Sequence, residues 1–449
     1  MTTIYAQSAL LPDGWATEAR IEIVNGRIAK VVAGAKAEAG DERVTILIPG
    51  MPNLHSHAFQ RGMAGLAETR GPGDDSFWSW REVMYRFALS MTPDHVEAVA
   101  AQLYVEMLEA GFTRVGEFHY LHHDIDGRPY ADVAEMAARI ASAATQTGIG
   151  LTLLPVFYAH SGFGGQTPNA GQRRFINDLN GFARLLESSW KAVESVPEVV
   201  VGVAPHSLRA VTPDELKAVT ALSSGPIHIH VAEQMREVED CITWSGARPV
   251  EWLLGNADVD ERWCLIHATH MTEEETTAMA RVGAVAGLCP VTEANLGDGT
   301  FPAPLFTAEK GRFGIGSDSN VLIGVADELR QLEYSQRLHR QARNVLARKG
   351  QSNGRALFDA ALAGGGIALG AAAGGIAVGA PADLVSLDAA RPSLTGKKAD
   401  AVLDAWIFAN GTSVDGAWVR GRKLVEGGRH IAREAIASRF RNTMMELTG

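Results

Sequence analysis

Residues 48–365 repeat one pattern eight times, in which a short apolar run is followed by a helical stretch. Eight such β/α units over this length are typical of a (β/α)8 barrel of the TIM type, so we predict an α/β fold with that architecture. A doubly wound sheet would need a glycine-rich dinucleotide turn after the first strand, and the sequence has none there. A generic α/β protein is the remaining alternative. The predicted strands are 45–54, 112–119, 150–158, 198–206, 226–232, 263–269, 283–289 and 312–317.

The two ends of the chain carry a different pattern, with short alternating β segments separated by turns. Near the N-terminus Asn25-Gly26 is a hairpin signal, and near the C-terminus three such segments read ADLVSLD, AWIFANG and GAWVRGRKLVEGG. We therefore predict one small β-sandwich domain that is formed from both termini. The expected divisions are an N-terminal sandwich part at 1–47, a catalytic barrel at 48–370, and a C-terminal sandwich part with a terminal helix at 371–449.

The net charge of −11 argues against a nucleic-acid partner or an anionic membrane surface, because both need a basic protein surface. A local arginine cluster can still bind a small anion. The three cysteines lack CxxC spacing and the N-terminus lacks a signal-peptide pattern, so we expect a reduced, cytoplasmic protein. Residues 361–382 are uncharged, but their glycine density predicts a tightly packed helix and turn rather than a membrane span.

Ionisable residues stand at the ends of four predicted strands, where barrel enzymes place their chemistry. His55 and His57 are two residues apart after the first strand, so both imidazoles can project from one face toward one metal ion. The fifth, sixth and eighth strands end in HIHVAE, LIHATH and GSDSN. Alone, the histidine pair fits surface residues and the aspartate fits a helix N-cap, but together the strand ends predict a His3Asp site suited to Zn²⁺. The predicted ligands are His55, His57, His230 and Asp318.

Glu233 comes three residues after His230, where the chain turns out of the fifth strand. A carboxyl group there can act as general acid and base without being a ligand, and His267 can orient the water or polarise the substrate. His228 is interpreted as a hydrogen-bonded core residue. The fourth strand, VVVGVAPHS, lacks the lysine that bridges a second metal in related barrels, which favours one ion. The predicted catalytic residues are Glu233, His267 and Asp318.

These motifs together resemble the amidohydrolase superfamily, specifically its cytosine- and guanine-deaminase-like branch with a mononuclear site. The likeness covers essentially the whole chain and rests on PGMPNLHSH, PHS, HIHVAE, GSD and the C-terminal GIAVGAPADLVSLD. Within the branch, the loops HSHAFQRGMAG, FWSWREVMYR, GEFHYLHHD and APHSLRAV are most similar to the formimidoylglutamate deiminases of bacterial histidine degradation. The resemblance implies metal-dependent hydrolysis of N-formimino-L-glutamate to N-formyl-L-glutamate and ammonia. It also implies one divalent metal ion, with Zn²⁺ expected first, and a homodimer.

A substrate with two carboxylates needs cations, and arginine is the usual residue for bidentate recognition. Arg209 follows the fourth strand, and Arg81 lies in an aromatic insertion (61–90) after the first strand that is long enough to be a lid. Arg81 could instead pair with Glu82, and Tyr120 could be a core residue with a polar tip. The resemblance implies that the substrate is bound by Gln60, Arg81, Tyr120, His206 and Arg209. Three nearby histidines are interpreted as loop residues, namely His119, His122 and His123.

Two other functions compete with this prediction. A deaminase of a ring substrate, such as guanine, cytosine or an adenosine derivative, would share every metal-site residue. A planar base needs amide and aromatic groups around it, whereas two carboxylates need cations, so Arg81 and Arg209 favour the small anionic substrate. A scaffold without activity is the second alternative, but such proteins usually lose ligands, and here the whole set is present.

Overall fold

The computed structural model describes residues 2–70, 77–372, 374–409 and 413–449. The strands are β1 (Thr2–Leu11), β2 (Gly14–Val24), β3 (Arg27–Val32), β4 (Glu42–Pro49), β5 (Met51–Ser56), β6 (Phe112–His119), β7 (Gly150–Phe157), β8 (Val200–Val201), β9 (Ala204–Pro205), β10 (Ile227–Val231), β11 (Trp263–His267), β12 (Val285–Leu288), β13 (Arg312–Ile315), β14 (Leu384–Leu387), β15 (Val414–Val419), β16 (Arg422–Glu426) and β17 (Arg429–His430). The α-helices are α1 (Phe77–Ala88), α2 (Pro93–Glu109), α3 (Glu135–Thr147), α4 (Leu179–Val193), α5 (Pro213–Thr220), α6 (Met235–Ser245), α7 (Pro249–Asn256), α8 (Glu273–Val282), α9 (Pro290–Leu296), α10 (Ala303–Ala308), α11 (Val325–Arg340), α12 (Asn353–Ala368), α13 (Ala401–Phe408) and α14 (Arg433–Thr448). Short 3-10 helices cover Ala58–Met63, Ala170–Gln172 and Pro392–Leu394.

Strands from both ends of the chain join in one eight-stranded sheet, with the order β17-β16-β15-β14-β4-β1-β2-β3. β4 runs parallel to β1, and the other neighbouring pairs in this sheet are antiparallel. The hairpin predicted at Asn25-Gly26 joins β2 to β3, with φ of 51° and 79° at the two residues. A type I′ turn needs positive φ at both central positions, which asparagine and glycine tolerate best.

A small core of its own stabilises this terminal sheet. Its buried side chains come from both ends of the chain and include Ile4, Ile21, Leu47, Leu384 and Trp418. Removing this apolar surface from water holds the N-terminal and C-terminal segments together, although hundreds of residues separate them in sequence. The arrangement of this sheet as a sandwich, and the domain boundaries at 47 and 370, stay predictions.

The parallel strands form two sheets, one with the order β5-β6-β7-β8 and one with the order β10-β11-β12-β13, while β9 pairs with β7. Parallel bridges join the two sheets at both edges, so the pairing continues from strand to strand around the whole set. This topology is consistent with the predicted barrel. The bridging pairs are Val203 with Ile227, Ser207 with His230, and Ser56 with Asp318.

The prediction of a single strand over 45–54 is wrong, because the chain changes partners at Gly50. β4 belongs to the terminal sheet and β5 to the parallel set. Gly50 itself donates its N–H to the carbonyl of Asp383 at 2.9 Å. A Cβ at Gly50 would lie 2.2 Å from the methyl carbon of Thr113, so only glycine allows this close passage. Pro49-Gly50 interrupts the apolar run at the switch, and this dipeptide is a common turn signal that the predicted single strand overlooked.

Helices connect the parallel strands, and two of them begin with the same sequence signal, Thr-Pro-Asp. In α2 the N-cap residue Thr92 accepts the N–H of His95 at 3.3 Å. Thr212 caps α5 in the same way, and a proline follows each threonine at the first helical position. The capping hydroxyl and the fixed φ of proline both favour a helix start at these points.

The glycine-rich segment 361–382 begins within α12, and residue 373 of it lies outside the described ranges. A Cβ at Gly364 would lie 1.9 Å from the carbonyl oxygen of Phe313, and one at Gly365 would lie 2.6 Å from the ring of Pro52. The glycines therefore let α12 pack directly against β13 and β5, as the predicted tight packing requires. Among the described helices, none is both long and apolar enough to cross a bilayer.

Candidate metal and active site

Four side chains from three strand ends meet at one point. His55 ends β5 with His57 just beyond it, His230 lies in β10, and Asp318 follows β13. Their donor atoms all lie within 4.8 Å of one another, and all four residues are buried. The Nε2 atoms of His55 and His230 are 3.1 Å apart, and Asp318 Oδ1 is 3.2 Å from His57 Nε2. Donors this close together can all reach one divalent ion at the usual bond lengths of about 2.0–2.2 Å, and nitrogen and carboxylate oxygen donors suit an ion such as Zn²⁺.

Hydrogen bonds on the far side of the rings fix which nitrogen faces this point. His57 Nδ1 lies 3.1 Å from the carbonyl oxygen of Phe118, and His230 Nδ1 lies 3.0 Å from that of His206. A carbonyl oxygen can only accept, so each Nδ1 donates to it, and the Nε2 atom of each ring is left facing the other side chains of the set. Metal-ligating histidines are oriented in this manner by their second nitrogen, which supports a metal role for both rings.

Asp318 sits where the last parallel strand meets the first. Its N–H donates to the carbonyl of His55, and its carbonyl accepts the N–H of His57, both at 3.0 Å. These bonds hold it at a φ of 44°, which is unusual for a residue other than glycine. Burial would raise the pKa of its carboxyl, but hydrogen bonds from the two histidines hold the pKa well below its usual value. The capping alternative is wrong, because α11 begins after Gly324 as its N-cap.

Glu233 and His267 lie beside the four-residue set. Glu233 Oε1 is 3.5 Å from His267 Nε2, which is itself 3.7 Å from Asp318 Oδ2. Burial raises the pKa of Glu233 to about 7, so this carboxyl can carry or release a proton near neutral pH. Burial opposes the charged form of His267, yet the carboxylates of Glu233, Glu293 and Asp318 outweigh it and raise the pKa of His267 well above its usual value.

Two further buried carboxylates hold this pair in place. Glu237, on α6, accepts the N–H of Ala232 at 3.0 Å and that of Glu233 at 3.3 Å, which fixes the turn out of β10. Glu293, on α9, lies 3.4 Å from His267 Nδ1 and also accepts the N–H of Cys289 at 2.9 Å. Neither residue was predicted from the sequence, because a glutamate on a helix carries no local sign that it turns inward.

One cavity joins these groups to the residues expected to bind substrate. Its walls include all the predicted site residues except His55, which lies behind the others. α1, within the 61–90 insertion, contributes Arg81 and several aromatic side chains, while 71–76 of the insertion lie outside the described residues. The wall residues that were not predicted for this role are Phe77, Trp80, Met84, Tyr85, Tyr158, Phe175 and Leu296. Tyr158 directly follows β7, so its strand-end position was a usable signal.

The outer half of the cavity carries polar atoms without partners. Gln60 Nε2 donates to the hydroxyl of Tyr120 at 2.8 Å, but Gln60 Oε1 is buried and has no partner among the described residues. The same holds for the Nε atoms of Arg81 and Arg209. Within the described ranges Arg81 makes no ion pair with Glu82, and its guanidinium instead lies over the ring of Trp78, 4.4 Å from the centroid. These free donors and acceptors fit a polar, anionic ligand.

The remaining histidines near the site make structural contacts. His228 donates from Nε2 to the carbonyl of Ala368 at 2.7 Å, in line with its interpretation as a core residue. His122 and His123 each donate to a backbone carbonyl at 2.9 Å, and His119 is buried beside His122 with its Nε2 unpartnered. Among the described residues, the groups able to hold a metal do not include any of these four.

Known proteins share both the pattern and the shape of this chain. The sequence pattern of the amidohydrolase family matches residues 46–424, and that of the formimidoylglutamate deiminase HutF N-terminal domain matches residues 1–45. A formimidoylglutamate deiminase of Pseudomonas aeruginosa is 53% identical over 452 residues, covering 100% of both chains. The crystal structure of an amidohydrolase from Brucella melitensis superposes with a TM-score of 0.98 at 64% identity, again over 100% of both chains.

More distant relatives have other substrates. A 5-methylthioadenosine/S-adenosylhomocysteine deaminase of Natronomonas pharaonis is 26% identical over 90% of this chain and 88% of its own. An adenosine deaminase structure from Xanthomonas campestris with bound zinc has a TM-score of 0.83 at 22% identity, covering 99% of this chain and 98% of that one. At that identity the likeness concerns the fold alone.

Proposed function

Because the chain belongs to the amidohydrolase family, we propose that it is a formimidoylglutamate deiminase, which hydrolyses N-formimino-L-glutamate to N-formyl-L-glutamate and ammonia in histidine degradation. The observation that carries this proposal is the polarity of one cavity. A four-donor metal site and Glu233 lie at its inner end, and Arg81 and Arg209 line its outer half. The reacting formimino group and the two carboxylates of the substrate need these same two environments.

We propose one divalent metal ion, with Zn²⁺ as the first candidate, although a His3Asp set also accepts iron, manganese or cobalt. The residues that would hold it are His55, His57, His230 and Asp318. When bound, such an ion lowers the pKa of water toward about 7 and so supplies hydroxide at neutral pH.

The proton transfers are assigned to side chains of the chain itself. Glu233 starts protonated and protonates the imino nitrogen, which makes the formimino carbon more electrophilic. Asp318 accepts the proton that water loses as its oxygen bonds to that carbon, while the charged ring of His267, 3.5 and 3.7 Å from the two carboxyls, positions the water. Glu233 then takes the proton of the new hydroxyl and passes it to the nitrogen as the carbon–nitrogen bond breaks, and the proton held by Asp318 returns to Glu233. Water and substrate thus give the formyl amide and ammonia, with no net proton consumed.

Arg81 and Arg209 are proposed to bind the two carboxylates, with Gln60, Tyr120 and His206 as polar neighbours. Arg209 is 8% exposed and has a buried, unpartnered Nε, so a carboxylate there would satisfy a donor that otherwise costs free energy. The arginine fork suits bidentate recognition of such a group. The barrel, the terminal β-sandwich, a homodimer and a cytoplasmic location belong to the same proposal.

Ammonia release tests the proposed substrate directly. The purified protein should release ammonia from N-formimino-L-glutamate with a kcat/KM far above that for guanine, cytosine and S-adenosylhomocysteine. A preference for one of the ring compounds would replace the proposal with a ring deaminase. A protein that contains no divalent metal and gains no activity on adding zinc would instead be an inactive scaffold.

A further inference from the structure

We propose that a second cavity, beside the mouth of the active site, is an outer binding site for carboxylates. Its walls include Trp78, Arg81, Phe163, Arg209, Arg236 and Trp244. The inference rests on the proposed function, because the carboxylate it would take is one of the two on the substrate. We call this second cavity the outer site.

Three guanidinium groups surround one indole ring in the outer site. The Cζ atoms of Arg81, Arg209 and Arg236 lie 4.4, 5.7 and 4.8 Å from the centroid of Trp78. Attraction to the ring face offsets part of the repulsion between the three positive charges. An anion placed among the three guanidinium groups would offset the remaining repulsion. A carboxylate is such an anion, and arginine binds it in a bidentate manner.

The charges around the outer site leave its arginines incompletely paired. Within the described residues neither Arg81 nor Arg209 forms an ion pair, and Arg236 has only Asp240, at 3.8 Å. Glu82 is the other acidic residue in the walls, so the described walls carry one more positive than negative charge. Glu233 and Glu237 also act on Arg209 from the side of the active site. In a chain of net charge −11, such a spot attracts anions that the rest of the surface repels.

The outer site shares a wall with the active-site cavity. Arg81 and Arg209 line both cavities, whereas Arg236 lines only the outer one. Arg236 is the second residue of α6, three positions after Glu233. A dicarboxylate held at Arg236 is thus next to the two arginines proposed to bind it during the reaction. As the dicarboxylate moves from Arg236 to Arg81 and Arg209, its carboxylates stay close to a positive charge throughout.

Kinetics of Arg236→Ala, beside a matched control, test the outer site. Arg281→Ala is the control, since its side chain is 74% exposed against 65% for Arg236, and its carboxylate neighbour lies at 3.9 Å against 3.8 Å. Arg281 lies in the last turn of α8 and lines neither cavity. We expect Arg236→Ala to raise KM for N-formimino-L-glutamate by about 3- to 10-fold at low ionic strength, with the loss falling on KM rather than kcat. High salt should shrink the difference, because it screens exposed charges.

Charge reversal and a binding measurement complete the test. Arg236→Glu should raise KM further than Arg236→Ala, while Arg281→Ala should match wild type. A KM for Arg236→Ala equal to that of Arg281→Ala at low ionic strength would overturn the outer site, as would a loss confined to kcat. Calorimetric titration with glutarate, a dicarboxylate with no formimino group, gives a readout without turnover. If wild type releases no ammonia, the proposed function fails, but weaker glutarate binding by Arg236→Ala than by Arg281→Ala would still support the outer site.

Discussion

The inner and outer halves of the active-site cavity are built differently. At the inner end, His57 and His230 are each tied by Nδ1 to a backbone carbonyl, and Asp318 is tied through its backbone to the first parallel strand. At the outer end, Arg81 and Arg209 keep buried Nε atoms without partners among the described residues. The inner half is therefore preorganised, whereas the outer half has free donors that the proposed substrate would satisfy. Changes at the inner end should abolish the reaction, and changes at the outer end should weaken binding.

Metal removal should have the largest effect, because it takes away the ion that the inner half is proposed to hold. Treatment with a chelator should reduce ammonia release to background, and addition of Zn²⁺ should restore it. Metal content and activity are measured on the same samples, with circular dichroism to check that the fold persists. Undiminished turnover in metal-free protein would show that the inner half acts without a metal, and would contradict this prediction.

Glu233→Gln should have the next largest effect. The amide keeps the shape of the side chain but cannot transfer a proton, so kcat should fall by about 10²- to 10⁴-fold while the metal stays bound. Glu239→Gln is the matched control, since Glu239 is an exposed glutamate on the adjoining α6. Near-normal activity in Glu233→Gln would remove the assigned acid–base role.

Arg209→Ala tests the outer half. Loss of a charge-assisted hydrogen bond is worth roughly 1.5–3 kcal/mol, so KM for the dicarboxylate should rise about 10- to 100-fold, with a smaller change in kcat. Steady-state kinetics should measure the rise in KM for Arg209→Ala, and Arg281→Ala serves as the control for the loss of one positive charge elsewhere on the protein. An unchanged KM would leave Arg209 with a structural role, and would contradict the expectation that changes in the outer half weaken substrate binding.

The smallest expected effect concerns His119, the residue before Tyr120 of the cavity wall. Burial lowers the pKa of His119 to about 4, whereas the unfolded chain titrates near the ordinary value of 6.5. As pH falls from 6.5 to 4 the unfolded chain takes up a proton that the native one does not, so the free energy of unfolding should fall, by up to about 3 kcal/mol for this one group. Urea unfolding of His119→Phe should show a shallower pH dependence than wild type over this window. His339→Phe, at an exposed position on α11, should not.

The local sequence pattern predicted the inner half of the active-site cavity better than the outer half. The predicted ligands stand where apolar strands end, and strand-end positions are visible in sequence, so His55, His57, His230 and Asp318 could be named before their distances were known. The wall around the substrate depends instead on which segments meet across the cavity. Trp80 and Phe175 lie far apart in the chain and carry no local mark of a shared cavity.

Two other features were not predicted, for different reasons. The break at Gly50 has a local signal, since Pro49-Gly50 interrupts the apolar run, but the run does not show that its two parts join different sheets. Glu293 reaches His267 from a seven-residue helix, a contact set by how α9 packs. In both places tertiary contacts decide which partner a segment meets, and the local sequence does not identify that partner.

The bridge between Ser56 and Asp318 joins two segments that lie far apart in the chain. His55 and His57 lie near the start of the parallel set, and Asp318 follows its last strand, more than 250 residues later. A chain truncated before Asp318 would lack one of the four predicted ligands and the pairing between the last parallel strand and the first. Since an ion binds tightly only when its ligands are assembled, we expect such a fragment to bind the proposed metal weakly.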